Sequence, residues 1–210
     1  MRSVPLQTAR AFPWHRRPVT LLFLMAAAMP LAFSTWSALL NNFVIEAADF
    51  TGVEIGWLHT VREIPGFLAI GVILMIVFIR EQTLAIVSLL TLGAATAVTA
   101  WFPTLGGILV VTMISSIGFH YYETVNQSLQ LQWIEKDKAP QTLGWMIAAG
   151  SGASLLAYAA LVVTWKAFDL SYYFVYMVSG GACVAIALYC WLAFPQFEAP
   201  NPQTRKLILR

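Results

Sequence analysis

YYFVYMVSGGACVAIALYCWLAF, residues 172–194, contains no Asp, Glu, Lys or Arg, and it decides the class of this chain. A helix needs about 20 residues to cross a hydrocarbon layer of ~30 Å, and this run is long enough. Working back along the chain, five more such runs appear, at about Leu143–Trp165, Leu105–Trp133, Leu84–Trp101, Gly56–Ile79 and Val19–Val44. At bilayer depth no water is present to bond the backbone, so a crossing segment is a helix or part of a closed barrel. The runs are far longer than barrel strands and lack strict two-residue alternation, which selects helices. The sequence therefore predicts an all-α polytopic membrane protein with six transmembrane helices. They are numbered spans 1 to 6 from the N-terminus, between an arm at 1–18 and a tail at 195–210.

Composition agrees. A chain that is 59% apolar and only 10% charged is no ordinary soluble domain. No basic patch with interleaved aromatics stands behind the formal net charge of +2. The expected surroundings are a lipid bilayer, and no nucleic-acid partner is expected. Arg16-Arg17, then Leu21–Ala28, then Met29-Pro-Leu-Ala32 is similar in layout to a signal peptide. Apolar character continues to Val44, however, so an uncleaved first span is expected. Cys183 and Cys190 are seven residues apart, about 10 Å on a helix and too far for a disulfide. They are expected to be buried apolar fillers.

The charges set a topology. Arg2, Arg10, Arg16 and Arg17 precede span 1, Arg80 lies between spans 2 and 3, and Lys136 and Lys138 lie between spans 4 and 5. Arg205, Lys206 and Arg210 follow span 6. All fall on one side if the spans alternate in direction. The opposite gaps hold Lys166 with Glu46, Asp49, Glu54 and Asp169. Flanking Lys and Arg stay cytoplasmic during insertion, so both termini are expected in the cytoplasm and the chain in the cytoplasmic (inner) membrane. Trp14, Trp36, Trp57, Trp101, Trp133, Trp165 and Trp191 mostly sit near span ends, as interfacial anchors do.

Pro30 in span 1 and Pro65-Gly66 in span 2 each remove or weaken a helical hydrogen bond and predict bends. Gly144, Ala148 and Gly152 repeat every four residues along span 5, with Ala149, Ala153 and Ala157 beside them. Small residues at that spacing let helix backbones approach closely, so the first row is a candidate packing face.

Ionisable and polar side chains within a span are costly unless they face a cavity or a partner, so they mark candidate sites. Two clusters stand out. On span 4, Ser116, His120, Glu123, Gln127 and Gln130 share a sector of roughly 80° on a helical wheel, flanked by Asn126. A helix so polar over half its length must line a wet cavity or a polar seam. Glu123 suits a carboxylate that gains and loses a proton. The second cluster is His59, Arg62 and Glu63 on span 2. His59 and Glu63 are four apart and face together, whereas adjacent Arg62 and Glu63 diverge by about 100°, so each is expected to need a partner on another helix. An ion pair closing the outer side is the functional reading. No recognised metal spacing occurs, and no metal or other cofactor is expected. Gly150-Ser151-Gly152 lies within the small-residue rows of span 5, no histidine occurs in spans 5 or 6 to activate that serine, and no enzyme is expected. No phosphate-cradling glycine loop is present.

With the polar fourth span and the glycine-rich fifth in hand, the whole layout resembles the N-terminal six-helix half of a major facilitator superfamily transporter. The resemblance rests on six spans with both ends inside, a kinked first span, Glu123–Gln130 on span 4 and the Gly144–Ser154 run on span 5. The turn between spans 2 and 3 is read as Arg80-Glu81-Gln82, without the family's glycine-, aspartate- and arginine-rich loop, and Gly150–Ser154 lacks the proline of the family's span 5 motif. The resemblance implies two inverted three-helix repeats, with spans 1 and 4 lining a central pathway, spans 2 and 5 flanking it and spans 3 and 6 outermost. It makes Thr35, Asn41 and Asn42 on span 1 pathway groups beside His120, Glu123, Gln127 and Gln130.

The expected function is half of a secondary-active transporter (a permease) moving a small-molecule solute by alternating access, with protons coupled through Glu123. Such transporters work as two six-helix halves rocking about a midplane site. The expected partner is therefore a second half, covalent in a longer protein, a separate chain or a second copy, and a truncated or split half is the favoured expectation. The alternative is a non-transporting membrane interaction or assembly subunit.

Overall fold

In the computed structural model, which describes residues 3–9 and 11–198, six helices are long and apolar enough to cross a membrane. They are span 1 (Pro18–Ala48), span 2 (Gly52–Phe78), span 3 (Glu81–Trp101), span 4 (Leu105–Trp133), span 5 (Ala139–Thr164) and span 6 (Tyr172–Ala193). The chain is a multi-pass, helical membrane protein. Arg2, Arg10, Arg205, Lys206 and Arg210 lie outside the described residues.

Local chemistry sets the helix ends. Span 1 stops at Asp49, whose φ of 53° places it in the left-handed region, a C-terminal position where Asp is among the better tolerated non-glycine residues. Thr51 then starts span 2 through a capping box: its hydroxyl accepts from the Val53 amide at 3.3 Å while Glu54 accepts the Thr51 amide at 2.8 Å. Thr104 and Ser171 cap spans 4 and 6 by accepting from Gly107 and Phe174. Spans 3 and 5 begin earlier than their apolar runs. Glu81 occupies the first turn of span 3, where a carboxylate favours the helix dipole, and Pro140 fits the first turn of span 5. The turn between spans 2 and 3 thus shrinks to Ile79-Arg80, and Glu81 and Gln82 are helical. Within span 2 the helix tightens into a 3-10 turn at Leu68–Ile70, just after Pro65-Gly66. Span 1 runs on as a helix through Pro30.

Span 3 packs chiefly on spans 4 and 6, span 1 on spans 5 and 6, and span 2 on span 4. Spans 2 and 5 are the least enclosed. The closest approaches use glycines of spans 3, 4 and 6. A Cβ on Gly118 would lie 2.7 Å from the Leu92 nitrogen and the Ser88 carbonyl oxygen, so span 4 rests on the backbone of span 3. A Cβ on Gly180 would overlap the Ala97 nitrogen and the Gly93 carbonyl oxygen, and one on Gly93 would lie 2.8 Å from the Gly180 carbonyl oxygen. Span 5 meets span 1 at Gly150. Pro30 has no N–H and leaves the Ala26 carbonyl without its helical donor, and a Cβ on Gly150 would lie 3.3 Å from that oxygen. Ser34 donates to Ser154 at 2.9 Å one turn further on. Cys183 and Cys190 are fully buried and unbridged.

The two terminal segments meet at one end of the bundle. β1 (Ser3–Pro5) pairs in parallel with β2 (Gln196–Glu198), Val4 opposite Phe197. Leu6, Ala9 and Phe197 are buried there, and the Phe197 ring meets Trp133 edge-on at 5.4 Å. Buried Gln82 covers the outer edge of β2: its side-chain nitrogen donates to the Pro195 carbonyl and its oxygen accepts the Phe197 amide, each at 2.9 Å. Arg80 faces Glu198 at 3.8 Å. Gln82→Ala is expected to cost about 2 kcal/mol, at ~1 kcal/mol for each net hydrogen bond. Amide exchange read by mass spectrometry should show loss of protection at Phe197; unchanged protection would refute Gln82 as the edge cover.

A polar cavity between spans 1, 2 and 4

The far half of the bundle, away from the strand pair, encloses a cavity of about 280 Å3 between spans 1, 2 and 4. Phe33, Trp36 and Ser37 come from span 1, Arg62 and Glu63 from span 2, and Ser115, Ser116, Phe119 and His120 from span 4. Span 4 can approach span 2 here because Gly66 has no side chain, since a Cβ there would lie 3.0 Å from the His120 ring. The Ser116 hydroxyl donates to the backbone carbonyl of Arg62. Pro65 and Gly66 disturb the next turn of span 2, and a serine from another helix satisfies a carbonyl beside it. The ring of Phe33 stacks on Phe119 with centroids 4.4 Å apart, which forms the apolar wall.

Arg62 and Glu63 pair with each other. Nε of Arg62 donates to Oε1 of Glu63 at 2.9 Å, and Nη2 reaches the same oxygen at 2.8 Å. This corrects the expectation that each needs a partner on another helix, because the long arginine side chain folds back across the divergence of adjacent helical positions. Both side chains remain open, at 30% and 51% of their full exposure. His59 is half-buried and makes no hydrogen bond or ion pair among the described residues. The two sequence clusters join at His120, while Glu123 does not reach Arg62.

The rest of the span 4 face lies nearer the strand-pair end. Glu123 and Gln130 are half-buried and Gln127 is exposed, with no side-chain hydrogen bonds among the described residues. Oδ1 of Asn126 is buried and unpartnered there. On another side of the same helix, Glu81 accepts from Ser128 at 3.0 Å and from Gln132, a polar seam to span 3 that the reading of Glu81 as a turn residue missed. The Glu123–Gln127 face is not covered by that seam.

Other residues are placed apart. Asn41 and Asn42 are exposed towards the far end of span 1. Thr35 turns away from the polar cavity: its hydroxyl donates to Leu31 O at 2.9 Å, and the residue lines a separate apolar cavity of about 230 Å3 with spans 5 and 6. Adjacent positions on span 1, about 100° apart around the helix, separate the two walls. Gly144 and Gly152 have nothing within 4 Å of a would-be Cβ and Ala148 is exposed, so that row faces outward, while buried Ala153 belongs to the row beside it. Trp36, which the sequence groups with the interfacial anchors, is 2% exposed in mid-span, and its indole Nε1 has no hydrogen-bond partner among the described residues. A tryptophan in the middle of a span, away from both ends and flanked by Ser34, Thr35 and Ser37, was the available signal for this residue.

No protein-family model matches the chain, and no curated protein matches it.

Proposed function

We propose that the chain is one half of a secondary-active transporter that moves a small solute across the cytoplasmic membrane by alternating access, both termini lying in the cytoplasm. The observation that carries this reading is the polar cavity walled by spans 1, 2 and 4, built from an ion pair, three serines and a histidine where lipid-facing side chains would be apolar.

The arrangement of neighbours supports two inverted three-helix repeats. Spans 4, 5 and 6 begin 87, 87 and 91 residues after spans 1, 2 and 3, at Leu105 against Pro18, Ala139 against Gly52 and Tyr172 against Glu81. Exchanging the two triplets turns the span 1–span 5 contact into span 4–span 2, and span 1–span 6 into span 4–span 3. Span 3–span 6 and span 1–span 4 map onto themselves. The span 1–span 3 contact lacks a counterpart of similar extent. On this reading the chain is the half of a major facilitator-type bundle, and its partner is a second six-helix unit facing spans 1, 2, 4 and 5. The open row Gly144, Ala148 and Gly152 offers that unit a close backbone approach.

Cysteines introduced separately at Glu123 and Gln127 in the full chain are expected to react with a membrane-impermeant maleimide in inverted vesicles. Native Cys183 and Cys190 are sealed in the core and should stay silent. If both introduced thiols are inaccessible from either side of the membrane, the permeation reading fails. Stable capture by another membrane protein, with no solute flux in reconstituted vesicles, would instead establish a non-transporting assembly subunit.

A further inference from the structure

The cavity between spans 1, 2 and 4 carries more donors than acceptors, and its ion pair is incomplete. Both Arg62 donors in use converge on one oxygen of Glu63, whereas a guanidinium is best matched by two parallel bonds to two oxygens. Glu63 therefore occupies the fork without filling it, and its half-exposed side chain can rotate away without disturbing the helix. Trp36 adds apolar surface: its side chain, 2% exposed, lines the same cavity, while its indole nitrogen is sealed away from the cavity space. Ser37 and Ser115 add hydroxyls and His120 a ring nitrogen. Among the described residues, Glu63 is the only carboxylate on this wall.

We propose that this cavity binds a small monocarboxylate whose carboxylate takes the place of Glu63 on Arg62 and whose apolar body lies along Phe33, Phe119 and Trp36. The inference rests on the transporter reading for the purpose of the site and names its solute class. An anion satisfies donors that Glu63 leaves unmet. A cation would compete with Arg62 for one carboxylate and stand near a like charge. Size sets the rest. At ~30 Å3 for each water-sized group, a cavity of about 280 Å3 holds roughly nine of them, the scale of one aromatic ring bearing a carboxylate. The stacked Phe33–Phe119 wall suits such a body.

The test is calorimetric titration of the purified full chain in lipid nanodiscs at pH 7.5 with benzoate, benzylamine and benzyl alcohol, which share a ring and differ in charge. Saturable benzoate binding is expected, at least about tenfold tighter than either neutral or cationic probe. Arg62→Gln should weaken it by at least about tenfold and Arg62→Lys by less, because charge survives but the fork does not. Absence of benzoate binding, tighter benzylamine binding, or equal affinity in a folded Arg62→Gln chain would overturn the proposal. The probe comparison uses the unaltered chain, so no folding defect can obscure it. Vesicle flux is scored separately: benzoate binding without flux removes the transporter reading and leaves the ligand class, while solute flux that benzoate does not inhibit does the reverse.

Discussion

Gly180→Ala is expected to destabilise the bundle by about 3 kcal/mol, the upper part of the usual range for overpacking a filled interior. The added methyl would strike the Ala97 nitrogen and the Gly93 carbonyl oxygen, with Ala97 Cα only 2.8 Å away. These are backbone atoms of span 3 and cannot rotate aside, so spans 3 and 6 must separate. Gly181→Ala supplies the control, because nothing lies within 4 Å of a Cβ there; it should be neutral or gain up to ~1 kcal/mol of helix propensity. Denaturation in mixed micelles would compare the two. Cys183 gives a local readout, since it is fully buried on span 6 with its thiol 3.6 Å from the Leu89 carbonyl of span 3. Its maleimide labelling should accelerate in Gly180→Ala alone. Equal stability and labelling in both variants would refute the close span 3–span 6 contact.

If the proposed transporter couples its solute to protons through Glu123, Glu123→Gln is expected to lower uptake driven by a proton gradient on the order of 100-fold, the scale a positioned proton-transfer group contributes. Glutamine preserves the shape and hydrogen-bonding capacity of the side chain but cannot exchange a proton. Glu123 sits half-buried in mid-helix, without an ion pair among the described residues, on the span 4 face left open by the Glu81 seam. It also lies a turn away from His120 and outside the ring of cavity residues, so benzoate affinity should be unchanged. Downhill counterflow of solute should persist. Full gradient-driven uptake by the variant, measured with the proposed second six-helix unit present, would end the proton-coupling role.

Much of the architecture was legible because bilayer physics is blunt. Six runs without sustained charge can only be helices, and each lies in one to within a residue at its C-terminal end. The helix starts were less legible. Glu81 and Gln82 read as a polar turn, yet a carboxylate belongs in a first helical turn, and Gln82 had an unforeseen partner in β2. Three-residue strands carry no periodic signal, and nothing in Ser3–Pro5 or Gln196–Glu198 announces pairing across the whole chain.

The site was half legible. Charge and polarity marked Arg62, Glu63 and His120, because such residues are expensive in a span whichever way they point. Helical-wheel geometry then misled, since it treats side chains as fixed spokes and forbids the Arg62–Glu63 pair that a flexible arginine makes. On span 1, by contrast, the 100° between adjacent positions does set Thr35 and Trp36 on different walls, and grouping Thr35 with the pathway residues overlooked it. Glycine packing was sought in the regular row on span 5, whereas the tight contacts fall at Gly93, Gly118 and Gly180. Gly93 and Ala97 are four apart on span 3 and both meet Gly180, so the same spacing rule applied there would have found the contact.

The parallel pairing of β1 with β2 has a consequence for biogenesis. β1 precedes the first of these six helices and β2 follows the sixth, so the clasp joins segments that flank the whole six-helix set and forms only after the sixth helix has been made. It also tests parity. A nascent chain in which one helix fails to insert leaves the two strands in different compartments, where they cannot meet. Closure of the clasp is thus a built-in inspection of insertion, passed only by a chain that has crossed the bilayer an even number of times.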